Sequence, residues 1–215
     1  DNLSINREVH DYAKKLITEH TGIPKERVLI AATHTHSGTS ASGEGLKRGS
    51  WNYDKPLDEY QLFVARRISD GVRRAIMNKE PAKIAWGSVQ VPQHVFNRRW
   101  LMKPGTPAKS PFGEQDKAVM NPGVGNPNLL EPAGPTDPEV SYISVQSLDN
   151  RPISLLANYS LHYVGGVPMN HISADYFGVF ADRFQELIKA DRVSPSFVAM
   201  MSNGTSGDVN NINFR

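Results

Sequence analysis

Three stretches of this chain repeat apolar residues at helical spacing, and five others carry the compact or alternating apolar runs of strands. The order in which the two kinds occur constrains the fold most. Ile5, Val9, Tyr12, Ala13, Leu16 and Ile17 predict a first helix, which Gly22 and Pro24 end. A strand is predicted from Val28 to Thr35. A second helix is expected to start near Pro56, with Tyr60, Val64, Ile68, Val72, Ala75 and Ile76 as its apolar stripe up to Pro81. Lys83 to Val91 reads as the next strand. Glu139 to Leu148 and Ile153 to His162 read as a hairpin across Asp149-Asn150-Arg151-Pro152. A last helix, capped by Ser173 or Asp175, carries Phe177, Phe180, Ala181, Phe184, Leu187 and Ile188, and Ser196 to Met201 forms a final strand. Helices interleaved with strands, plus one hairpin, imply an α/β layered domain with a mixed β-sheet flanked by helices.

Residues 101 to 140 interrupt this rhythm. They hold eight of the fifteen prolines and few apolar residues, so a long surface loop over about 101–138 is expected, flanking whatever site the chain carries. Gly123-Val124-Gly125 lacks the third glycine and the strand-to-helix setting of a dinucleotide-binding turn. The 215 residues suffice for a single domain with a real core, read here as 1–215. Asp1 in place of Met, and Arg215 directly after a Gly/Asn/Asp-rich run, suggest cut points within a longer protein.

The formal charge of +2 is small and its basic residues are scattered, so the basic stripe of a nucleic-acid binder is missing. No apolar run approaches a membrane span and none resembles a signal peptide. The absence of cysteine removes disulfides, thiolate ligands and cysteine nucleophiles together, so any metal must be held by His, Asp, Glu, Tyr or backbone oxygen.

Thr33-His34-Thr35-His36-Ser37-Gly38 places two imidazoles one residue apart at the end of an apolar run. If the run is extended, both histidines project to one face. They then share a metal ion, or one binds metal while the other handles protons, or both are simply solvated at a strand end. Two further segments also follow predicted strands, Leu161-His162-Tyr163 and the loop from Asn203 to Asn211, where polar groups of layered α/β domains usually converge. His162 on its own reads as a hydrogen-bonded structural residue rather than a ligand, and His171 as a loop residue. Gly204-Thr205-Ser206-Gly207 fails as a nucleophile elbow, because Asp208 stands where that pattern needs glycine. It reads either as a polar turn whose Asp208 accepts backbone hydrogen bonds or as an oxyanion- or substrate-binding loop.

Ala32-Thr33-His34-Thr35-His36-Ser37-Gly38, Phe96-Asn97-Arg98, a strand-ending His162 and Gly207-Asp208-Val209 occur in this order along the chain. In that order and approximate spacing the chain resembles part of the N-terminal catalytic domain of the neutral/alkaline non-lysosomal ceramidases. The resemblance implies a zinc amidase that cleaves the N-acyl bond of ceramide or a related lipid. It places His34 and His162 at zinc-ligand positions, His36 beside the metal, and Arg98 at an active-site arginine; Gly207 and Asp208 fall in the substrate-binding loop. The family's remaining ligands, a Glu and a Tyr, would lie past Arg215, making the chain a fragment of the catalytic domain. Where the family has a catalytic serine after Gly-Asp-Val, this chain has Asn210, which can donate a hydrogen bond but offers no deprotonable hydroxyl.

Three readings follow. In the first, zinc polarises an acyl carbonyl and acidifies a water, Arg98 and amides near Gly207 stabilise negative charge, and His36 moves a proton. In the second, the chain is a catalytically silent relative that binds a lipid or glycan. The third, a metallophosphoesterase, requires clustered Asp ligands. The resemblance also implies secretion or a periplasmic location and contact with a membrane surface, with a lipid or other small molecule as substrate.

Overall fold

A computed structural model describes residues 1–43, 56–106, 108–110 and 112–215. Helix α1 spans Arg7–Thr21 and buries Val9, Ala13 and Ile17, one face at four-residue steps; Gly22 ends it in the left-handed region at φ 72°, its N–H bonded to Thr18 O. Helix α2, Glu59–Met77, opens three residues after Pro56 with a capping box. Asp58 Oδ1 accepts from Gln61 N at 2.8 Å, and Gln61 Oε1 accepts from Asp58 N at 3.0 Å. The two helices pack on each other through Val9, Ala13, Val64 and Ala65, with Ala41 completing the cluster.

The main sheet contains β1 (Ala82–Gln90), β6 (Glu139–Ser147), β7 (Pro152–Tyr159) and β8 (Val198–Asn203), in the order β1-β6-β7-β8. The first two pairings are antiparallel, and β7 with β8 is parallel. This is the mixed sheet the sequence predicts, its hairpin turning at Asn150, which takes φ 71°. Helix α3, Asp175–Leu187, covers one face, where Phe180 and Phe184 pack on Leu155, Ala157 and Phe197. On the opposite face the register aligns Trp86, Ile143, Leu156 and Met200 across all four strands, and each is exposed.

The segment expected as a loop over 101–138 is partly ordered as sheet. β3 (Arg99–Met102) pairs antiparallel with β4 (Ala118–Met120) and β5 (Leu129–Pro132). Strands this short give almost no periodic signal among prolines, which explains why they are invisible in the sequence. Pro107 and Pro111 of this segment lie outside the described residues. A two-stranded ribbon joins β2 (Phe96–Asn97) to β9 (Val209–Asn210).

The strand predicted over Val28 to Thr35 does not form. Lys25–Arg27 make a single 3-10 turn, and His34 adopts φ 61°, which ends strict alternation because a ladder needs both neighbours extended. The backbone partners here are the first residues of the chain: His34 N donates to Asn2 O at 3.1 Å, Leu3 N to Thr39 O at 2.9 Å, and Ala41 N to Ser4 O at 2.8 Å. Thr33 O accepts the Asn203 side chain at 2.6 Å rather than a ladder N–H from β8.

Candidate metal centre

Two loops bring the site together. His34 and His36 lie on the irregular segment after residue 32, and His162 lies three residues past the end of β7. The left-handed turn at His34 does what strand alternation was expected to do. The Nε2 atoms of His34 and His36 are 3.3 Å apart, and one ring nitrogen from each of His34, His36 and His162 falls within 4.8 Å of the other two. A tetrahedral zinc with nitrogen bonds of about 2.0–2.1 Å holds its ligands roughly 3.3–3.4 Å apart.

The tautomers follow from the partners. His34 Nδ1 is 2.7 Å from Leu3 O, and His162 Nδ1 is 2.9 Å from Ser206 O. A carbonyl only accepts, so each Nδ1 carries the proton and each Nε2 keeps its lone pair for the centre. Metal-ligating histidines are held in this way, the distal ring N–H fixed by a carbonyl. The three imidazoles are thus a donor set that fits a zinc-type cation, and two of them, His34 and His162, have their rings fixed by carbonyls. His162 is 6% exposed, and burial lowers its pKa below the usual histidine value. The Ser206 bond opposes that shift, and the charges of Arg98 and His34 add to it. The direction of the shift favours the neutral imidazole that ligation requires. His36 is the exposed member of the three, and Tyr163 stacks on it with ring centroids 3.8 Å apart and 13° between planes.

Arg98 reaches the same region from the β2–β9 ribbon. Its Nε and Nη2 donate to Gly207 O at 3.1 and 2.5 Å, and its backbone N donates to Asp208 O at 2.7 Å. Asp208 is half-buried, its Oδ2 accepting from the Asn97 side chain (Nδ2) at 3.1 Å rather than from the backbone donors a turn role would use. The same Asn97 amide donates to Gly134 O at 3.1 Å and Pro135 O at 3.3 Å, while Asn97 Oδ1 accepts from Arg99 N at 2.9 Å. Asn210 is buried. Its Nδ2 donates to Asn121 Oδ1 at 3.3 Å and its Oδ1 accepts from Ile212 N at 3.0 Å. Asn121 N in turn donates to Arg98 O at 2.7 Å.

Among the described residues, the three-histidine group includes no carboxylate. His171 is exposed in its loop, as predicted. Sequence reasoning missed Asn121, hidden in the proline-rich segment, and Tyr163, whose adjacency to His162 was its only signal.

No family model matches this chain, and no curated protein does. Solved structures do. The crystal structure of neutral ceramidase from Pseudomonas aeruginosa aligns over 98% of this chain and 30% of its own, with TM-score 0.60 and 21% identity. A ceramidase complexed with C2 aligns over 96% and 29%, with TM-score 0.61 and 21% identity. The chain has a ceramidase-like fold and spans about 30% of the length of these structures.

Proposed function

We propose that this chain forms the histidine half of the metal centre in a zinc-dependent hydrolase of the ceramidase kind, acting on the N-acyl bond of a ceramide-like lipid or a related amide. The observation that carries the reading is the convergence of His34, His36 and His162, two of them with Nδ1 fixed by carbonyls, in a ceramidase-like fold. When bound, zinc supplies a Lewis acid for the acyl carbonyl and acidifies a coordinated water.

The chain's own residues supply the rest. His34 and His162 would hold the metal through Nε2. His36, on the solvent side and steadied by Tyr163, passes a proton to the leaving amine through its ring nitrogen. Arg98 keeps a fixed positive charge near His162, where negative charge develops on the acyl oxygen. Asn210 supplies hydrogen bonds and no nucleophile, so the chain favours attack by water over an acyl-enzyme route. In this reading the protein works at a membrane surface, in a secreted or periplasmic setting. Among the described residues no helix is long and apolar enough to cross a membrane.

One observation favours a second reading, a silent lipid- or glycan-binding relative. Both ends of the Asn210 carboxamide are engaged inside the protein, with Asn121 and Ile212. Fatty-acid release from N-acyl-sphingosine by the zinc-loaded full-length protein separates the two. Turnover that disappears in His36→Ala supports the hydrolase, and stoichiometric zinc without turnover on any N-acyl substrate supports the silent relative.

A further inference from the structure

The two loops that carry the histidines do not hold each other by a strand ladder, and both are tied to the start of α3. From the first loop, the buried Thr35 donates its hydroxyl to Ser173 O at 3.1 Å, and Ser173 N donates to Ser37 O at 3.0 Å. From the second, Val164 N and Gly165 N donate to Asp175 Oδ1 and Oδ2 at 2.9 and 2.8 Å. Tyr176 adds a bond from its hydroxyl to Leu161 O at 2.8 Å, and its phenol is pushed well above the usual tyrosine range, by burial first and then by the charge of Asp175.

Asp175 closes the connection. It is 7% exposed and sits at φ 55°, a conformation that costs energy and persists where surrounding contacts over-determine it. Its own N–H donates to Ser173 Oγ at 3.0 Å, and its Oδ1 also accepts from Tyr176 N at 2.7 Å. Both oxygens are therefore acceptors, each facing at least one N–H.

We propose that Asp175 is the positioning residue of the three-histidine centre: by clamping Val164 and Gly165 to the helix start that also binds Thr35 and Ser37, it sets the distance between His162 and the His34/His36 pair. This rests on the metal-centre reading above for its functional meaning, and on hydrogen bonds alone for its mechanical part. Asp175 touches neither metal nor substrate; it acts through the backbone of both loops.

Asp175→Asn is the sharpest variant. Asparagine tolerates the left-handed conformation as well as aspartate does, yet it turns an NH₂ either toward Gly165 N–H or toward those of Val164 and Tyr176, so the change removes an acceptor and little else. Two readouts apply to the full-length protein. In metal-free protein, backbone amide hydrogen exchange is expected to rise in 161–165 and also in 34–38, with α1 and α2 unchanged. In cobalt-loaded protein, the visible ligand-field bands are expected to shift and affinity to fall about tenfold, the scale of a lost outer partner of a ligand. Phe184→Leu, which loosens α3 against the sheet away from the clamp, controls for general destabilisation and is expected to leave affinity at the wild-type value.

Faster exchange confined to 161–165, with 34–38 at wild-type protection, overturns the proposal, as does wild-type cobalt affinity and spectrum in a folded Asp175→Asn protein. If wild-type protein takes up no cobalt or zinc, the hydrolase reading falls while the exchange result still decides whether Asp175 couples the two loops. If Asp175→Asn does not fold, Thr35→Val cuts the same connection from the other loop and is held to the same outcomes.

Discussion

Gly204→Ala tests how the loop that orients His162 is packed. Gly204 follows β8, and its N–H donates to Tyr159 O at 2.9 Å. A Cβ built there lies 2.5 Å from Ser160 Oγ, 2.8 Å from Asn158 Oδ1 and 3.3 Å from Ser160 N. Ordinary contact begins near 3.5 Å, so the first approach is roughly 1 Å too close. Ser160 cannot yield cheaply. It is 1% exposed, and its hydroxyl lies 3.1 Å from both Asp137 Oδ2 and Thr205 Oγ1 and accepts from Thr205 N at 3.0 Å. Gly204 is outside the left-handed region, so the cost is one of packing, about 1–3 kcal/mol. The reduced entropy of the unfolded chain returns roughly 0.4–1 kcal/mol. The net destabilisation is about 1–2 kcal/mol, which lowers the melting temperature by roughly 2–8 °C in a domain of this size.

The assay is urea unfolding followed by tryptophan fluorescence, on Gly204→Ala, Ser160→Ala and the double variant. Because Ser160→Ala removes the nearest clashing atom, Gly204→Ala is expected to cost at least about 0.5 kcal/mol less in that background. Wild-type stability in Gly204→Ala, or strict additivity in the double variant, refutes the close approach. Two residues on, Ser206 carries the carbonyl that fixes His162, so weaker zinc binding by Gly204→Ala is expected alongside the lost stability.

Asn97→Leu removes a 4% exposed carboxamide that serves four partners. It is expected to destabilise by about 2–4 kcal/mol, read from the same urea curves; a loss below about 1 kcal/mol would show that these bonds contribute little. His10 supplies a pH dependence away from the metal centre. Burial lowers its pKa from the usual 6.5, the Lys14 charge lowers it further and Asp11 opposes. The unfolded chain therefore binds the proton first, and stability is lost as pH falls below the unfolded value. His10→Gln is expected to flatten the fall in melting temperature between about pH 7 and pH 5, and an unchanged slope would contradict this.

The order of helices and sheet strands was legible because long apolar periods survive in the sequence, as in Val9, Ala13 and Ile17 of α1. The Gly22 stop was equally legible, since its left-handed conformation is one few other residues adopt. The histidine pair was visible, but the reason for its convergence was not. Alternation along a strand was expected, whereas φ 61° at His34 and pairing with residues 2–4 bring the two rings together. Long-range partners leave no local trace. Nothing near Asp175 in the sequence announces Val164 and Gly165, and its proximity to a helix start suggested a cap instead. The strands of 99–132 were hidden because three or four residues cannot display a period.

In the proposed function His34 and His162 are the oriented ligands of a metal centre beside which His36 acts. Zinc content and affinity of the purified full-length protein test it directly, in the wild type and in His34→Ala, His162→Ala and His36→Ala. About one zinc per chain is expected in the wild type, with loss of binding in the first two variants and retained zinc in His36→Ala. A wild-type protein that binds no zinc, or equal loss in all three variants, contradicts it.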